Sequence, residues 1–215
     1  MKPEEPVADT VRVLIVINRI GAQGGAERST REIVGGLHGG GADFSMFVLW
    51  PDHDPTVCEE LRRAGVQVFV SPPGFLRRVR ALRRTIRSAR PHLVHSVLFD
   101  ADIASRVATA FVRVPNVCSL VNTQYDLEAM KSARSRWKLE LARVIDLVSA
   151  RLFVDRFHTI SQAVGAHARD RLKVPADRLV LVPRGRDMER LGERTESRRS
   201  AVRHAMAVPV EAPVL

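Results

Sequence analysis

Short apolar, β-branched runs alternate with segments of helical periodicity through most of this chain, and few folds accommodate that order. "VRVLIVI" (11–17) is apolar at nearly every position, as a strand covered on both faces must be. Residues 26–38 follow with Ile33, Val34 and Leu37 at helical spacing, and with Glu27 four positions before Arg31. The series continues with strands at 44–50, 66–70, 92–99 and 115–121, a short strand "RFHTI", and a last strand at 178–182. Helices are expected at 56–64, 75–90, 101–112, about 131–151 and 162–172, with Asp100 and Ser161 as N-caps of two of them. Such an order, with short connections, predicts a Rossmann-like α/β fold. Its doubly wound, mainly parallel sheet would carry helices on both faces.

The two ends read differently. Residues 1–10, "MKPEEPVADT", are acidic and contain proline, which suits a flexible tail and not a signal peptide. After Asp187 the residues up to 204 are highly charged, and "AVPVEAPVL" closes the sequence. The expected organisation is a tail (1–10), one domain (11–187), and a linker (188–215) that begins a second domain missing from the sequence.

Cys58 and Cys118 are too few for a disulfide framework and stand in no metal-ligand spacing. No apolar run approaches the roughly 18 residues of a membrane span. These features point to a cytoplasmic protein. The net charge is +10, and all but four of the 34 basic residues are Arg. Arginine suits phosphate and carboxylate partners, although an Arg-biased genome produces the same count. Aromatics make up only 5%, and no zinc-finger, homeodomain or RNA-recognition signature occurs, so no specific nucleic-acid partner is expected.

The turn after the first strand, "INRIGAQGGAER", holds Gly21, Gly24 and Gly25 where an open parallel sheet binds its ligands. Glycine lets a phosphate or sugar hydroxyl approach the backbone, and the helix N-terminus adds partial positive charge. A tight turn with no ligand remains the other reading. The turn lacks the G-x-G-x-x-G spacing of dinucleotide folds, and the chain has no G-K-[ST]. Glu27 either complements its helix dipole or meets substrate. His95, at the end of a strand facing the cleft, is a ligand contact or a satisfied structural histidine. Asp52 reads as a loop residue, and Asp100 with Asp102 as a helix start rather than a catalytic pair.

"GGAER", "RPHLVHS", "DRFHTISQAV" and "VPADRLVLVPRGRD" occur in this order. Together they resemble the N-terminal domain of a GT-B glycosyltransferase of family 4, over about residues 11–187. The resemblance implies two Rossmann-like domains facing a cleft and retaining transfer of a hexose from a nucleotide-diphosphate sugar to an acceptor hydroxyl. Nothing in the sequence requires a metal, and no resident cofactor is expected. This first domain would hold mainly a carbohydrate or lipid-linked acceptor, with Gly24, Gly25 and Glu27 near the donor diphosphate or the acceptor. The second domain would hold most of the nucleotide, so this half alone is expected to be inactive. Asn122 stands where relatives often carry His, and it can hydrogen-bond a sugar but not act as an acid or base. Thr123, Tyr125 and Asp126 follow in the same loop, near the acceptor. Arg184 replaces the usual Asn after the last strand, while Gly185 and Asp187 remain. No catalytic residue is assigned.

The helix at 75–90 carries seven arginines and no acid. It reads as a solvated basic face, or as a peripheral contact with an anionic membrane on the inner face. Two other functions stay open. One is a non-catalytic binding or scaffold domain; the other, disfavoured by the glycine spacing, is a nucleotide-dependent oxidoreductase or epimerase.

Overall fold

The structure is a computed structural model and describes residues 10–21, 24–50, 54–125, 135–185, 192–209 and 211–213. Its elements run β1 (Val11–Ile17), α1 (Gly25–Leu37), β2 (Ala42–Val48), α2 (Pro55–Arg63), β3 (Gln67–Val70), α3 (Phe75–Ala89), β4 (Leu93–Val97) and α4 (Phe99–Thr109). They continue with β5 (Asn116–Leu120), α5 (Arg136–Phe153), β6 (Arg156–Thr159), α6 (Gln162–Leu172), β7 (Leu179–Leu181) and α7 (Glu196–Ala205). The strands form one sheet in the order β3-β2-β1-β4-β5-β6-β7, every neighbouring pair parallel. Strand order therefore reverses between β1 and β4, the switch point of a doubly wound sheet.

Side-chain alternation along β1 divides the core. Val13, Ile15 and Ile17 pack under α1 and α2 with Val34, Val57 and Leu61. Leu14 and Val16 face the other way, into Val79 and Leu82 of α3 and Ala101 and Ala104 of α4. Farther along that second face, Cys118 and Phe157 meet Ala150 of α5 and Ala168 and Leu172 of α6. Of the described helices packed on this sheet, two thus lie on one face and four on the other.

Two expectations are corrected. Asp100 does not cap α4: the N-cap is Leu98, and the amide of Ala101 is satisfied from a distance by Asn18 Oδ1 at 2.9 Å. β2 ends at Val48, before Leu49 and Trp50, whose amides nevertheless bond the carbonyls of Ile17 and Asn18. Ser161 caps α6 by accepting from the amide of Val164.

The chain divides into two compact units, Met1–Pro183 and Arg184–Leu215. In the second, Thr195 caps α7 by accepting from the amide of Arg198, and Arg203 binds the carbonyls of Pro209 and Ala212. Asp52, Asp126 and Asp187, together with the tail at 1–9, lie outside the described residues.

Candidate functional site

The carboxyl ends of β1 and β4 form the crevice that a doubly wound sheet uses for ligands. The bond from Ala101 N to Asn18 Oδ1 ties the two ends together. Leu98, between β4 and α4, holds φ 81°, a region a branched side chain adopts only when its surroundings impose it. The strain sits at the switch point.

Gly24 is the N-cap of α1 with φ −74°, and no positive φ occurs at Gly21 or Gly25. Positive φ therefore does not explain these glycines; space explains one of them. A Cβ on Gly24 would run into the Glu27 carboxyl, 2.6 Å from its Cδ, whereas a Cβ on Gly25 would meet nothing within 4 Å. Glu27, three residues into the helix, folds its carboxylate back over the glycine turn, a position that complements the helix dipole. Negative charge there opposes a phosphate and accepts from a hydroxyl. Arg19, in the same loop, stacks over Trp50 at 4.7 Å.

Across the sheet, β4 to β6 carry a chain of polar contacts. His95 Nε2 and Ser119 Oγ are 2.7 Å apart, Ser119 Oγ and His158 Nδ1 2.8 Å, and His158 Nε2 and the Val182 carbonyl 2.9 Å. A carbonyl only accepts, so His158 donates from Nε2. With both imidazoles neutral, Ser119 then donates to His158 Nδ1, and His95 donates from Nε2 to Ser119. The satisfied, structural reading of His95 thus has a partner for Nε2.

Asn122 is exposed and Thr123 half-buried, while Tyr125 is buried at 3% exposure. The Tyr125 hydroxyl donates to Asp146 Oδ2 at 2.9 Å and its amide to His167 Nε2 at 3.4 Å, which pins the loop to α5 and α6. Burial, followed by the Asp146 charge, raises the tyrosine pKa, so it stays a hydrogen donor. Tyr125 thus anchors the loop that carries Asn122 and Thr123. Its hydrogen bond goes to a charged group, so Tyr125→Phe is expected to lower stability by about 1.5–3 kcal/mol in urea denaturation. An unchanged unfolding midpoint would show that the loop is held by packing alone. The cavity bounded by Asp102, Asn122, Tyr125, Asp146 and His167 is about 20 Å³, room for a water and no larger ligand.

Sequence reasoning missed Asn18 and the buried cluster behind this loop. Arg106 of α4 is fully buried and pairs with Asp146 at 2.5 Å. Asp102, one turn earlier, is pushed up to about 7, chiefly by burial. The buried Cys118 thiol is pushed up to about 12, again by burial, and is no nucleophile near neutral pH. Arg184 and Gly185 belong to the second unit. Among the described residues no group of three His, Cys, Asp or Glu is arranged to hold a metal ion.

The sequence profile of a family described as "Glycosyl transferase 4-like domain" matches residues 24–185. The chain belongs to that family. Among solved structures, Anabaena Alr3699/HepE in complex with UDP is similar at 18% identity and a TM-score of 0.66, over 92% of this chain and 50% of that one. Sucrose-phosphate synthase from Thermosynechococcus elongatus follows at 13% identity and a TM-score of 0.67, over 94% and 54%. A glycosyltransferase from Rickettsia africae ESF-5 gives 16% and 0.65, over 95% and 52%. At these identities the likeness is one of fold. The chain spans about half the length of the solved structures it matches. No curated protein matches it in sequence. In this glycosyl transferase 4-like domain, the parallel sheet with its β1/β4 crevice is the Rossmann-like architecture of the GT-B neighbours.

Proposed function

We propose that this domain is the acceptor-side half of a retaining glycosyltransferase that moves a hexose from a nucleotide-diphosphate sugar to an acceptor hydroxyl. The family match over residues 24–185 carries this reading. The Anabaena neighbour has been solved with UDP and with UDP-glucose, which supports a nucleotide sugar as donor.

The residues at the crevice divide the work. The carboxylate of Glu27 over the glycine turn favours an acceptor or sugar hydroxyl at that spot and repels a diphosphate. Asn122, held out by the Tyr125 anchor, offers a neutral amide to a sugar hydroxyl. A second domain supplies most of the nucleotide contacts, and closure around the diphosphate strengthens each charge contact by excluding water. Arg184 and Gly185 belong to that donor side. The acceptor is a carbohydrate or a lipid-linked carbohydrate, met at the cytoplasmic face of a membrane. The arginine helix over residues 75–90 contributes to that contact.

Calorimetric titration of the 215-residue chain with UDP-glucose tests the division of labour. The expected affinity is weaker than millimolar, with no glucosyl transfer. Submillimolar binding or measurable turnover would mean that one unit holds a complete donor site. A glycine substitution tests the crevice. Gly25→Ala has room for its methyl and is expected to keep or slightly raise the melting temperature, alanine being the better helix former. In a protein carrying both halves the same change is expected to cut transfer tenfold or more, because the methyl stands where the ligand approaches. Full transfer activity would return the turn to a purely structural role.

A further inference from the structure

We propose that the outer surface of α3, α4 and α5 is a docking face for an anionic lipid bilayer, on which the apolar stripe of α5 inserts and the arginine row of α3 meets headgroup phosphates. The inference deepens the reading of the acceptor as lipid-linked and rests on it for its purpose. Bilayer binding is measured without any transfer reaction, so the two can fail separately.

α5 buries Asp146 and Ala150 toward the sheet. Its opposite side carries Trp137, Leu141, Val144, Ile145, Val148 and Leu152, exposed at 43–67%. Those spacings draw one straight apolar stripe along an 18-residue helix, about 27 Å long, with water on it. Cations mark both ends, Arg136 and Lys138 at one and Arg151 at the other, all exposed.

α4 packs between α5 and α3 on the same face of the sheet. It adds Val107, and the turn that follows it adds Phe111, 88% exposed. α3 buries Val79, Leu82 and Ile86 and turns Arg77, Arg80, Arg84 and Arg87 outward, again a single row. Not every arginine of that helix joins it: Arg83 is spent on the carbonyls of Val107 and Ala108 at the end of α4.

One surface therefore combines an apolar ridge ending in tryptophan with a row of cations, the composition of helices that lie in a membrane interface. No described helix is long and apolar enough to cross a membrane. A second copy of the chain fits the apolar ridge but not its surroundings. A two-fold contact sets each row of cations near its like, on a chain of net charge +10. Helices in βαβ units start at the carboxyl ends of the strands, so Trp137 and the exposed Leu76 mark the end of this face nearest the crevice. An acceptor with its tail in the bilayer would present its head there.

The test is co-sedimentation of the 215-residue chain with vesicles of phosphatidylcholine alone or mixed with phosphatidylglycerol. Binding is expected only to the mixed vesicles, with a blue shift of tryptophan emission that Trp137→Phe removes. Each cation near the surface is worth roughly fivefold in affinity. Arg77→Gln/Arg80→Gln/Arg84→Gln is therefore expected to weaken binding more than tenfold, and Trp137→Ser/Leu141→Ser by a similar factor. Both variants change exposed side chains, and an unchanged circular dichroism melt checks that they fold. Absence of binding to the mixed vesicles overturns the proposal, as does binding that either variant leaves unaltered. So does a chain that sediments as a dimer in solution and becomes monomeric on Trp137→Ser/Leu141→Ser.

Discussion

Arg106→Met is expected to destabilise the first unit by about 3–5 kcal/mol, the usual cost of stranding one partner of a buried ion pair. Arg106 has no exposed surface. Its Nη1 donates to Asp146 Oδ1 at 2.5 Å, to the Asp146 carbonyl at 3.2 Å and to Ser149 Oγ at 2.9 Å. Its Nη2 points at Cys118 Sγ, 3.6 Å away. One side chain thus joins α4, α5 and β5. Methionine fills much of the volume but leaves the Asp146 carboxylate buried without its cation, and that carboxylate also anchors Tyr125. Guanidinium-chloride denaturation gives the magnitude. A double replacement, Arg106→Met with Asp146→Leu, is expected to cost less than the single one, because both charges leave together. A double variant as destabilised as the sum of the two singles would show that the pair acts through shape and not through charge.

Arg106 also shows where the sequence misleads. Periodicity places a charged residue on the solvated side of a helix, and α4 looks like an ordinary covering helix with acids in its first turn. The signal against this reading is the run of small residues around it. Ala101, Ala104, Ser105, Ala108 and Thr109 bring α4 close to its neighbours and leave one long side chain to fill the gap. The strands, by contrast, were legible because both faces of a parallel sheet are buried, which forces continuous apolar runs such as "VRVLIVI". Ser161 was legible as a cap because its effect is local, within three residues. Asn18, which caps α4 from 83 positions away, was not, since nothing local to residues 98–102 announces a borrowed cap. The residues predicted around the crevice divide in the same way. The glycine turn and Glu27 follow from chain order, and the structure brings them together. The tie between His95 and Ser119 depends on strand register between β4 and β5, which no periodicity encodes.

The buried cluster also predicts a pH dependence of stability, carried by Asp102. One guanidinium faces two carboxylates there, and Asp146 takes its short contact. The Asp102 carboxyl is raised from 3.8 to about 7 in all: desolvation, the largest cause, and the Asp146 charge push it up, against the lowering by Arg106, Ser96 and Cys118. The folded state therefore binds a proton that the unfolded chain releases near pH 4. Stability from this group is complete below about pH 4 and declines as pH rises through about 7. The shift of about three units corresponds to about 4 kcal/mol between those limits. Asp102→Asn places a neutral amide of the same shape in the site and removes that decline. Urea denaturation of both proteins at a series of pH values isolates the effect, because every other titrating group is common to the two. The variant is expected to match the wild type within about 1 kcal/mol near pH 4 and to exceed it by about 2–4 kcal/mol near pH 8. A difference that stays constant across the series would mean that Asp102 remains ionised beside Arg106 throughout. The cluster would then be a triad in which one guanidinium balances two charges, and Arg106→Met would be costlier still.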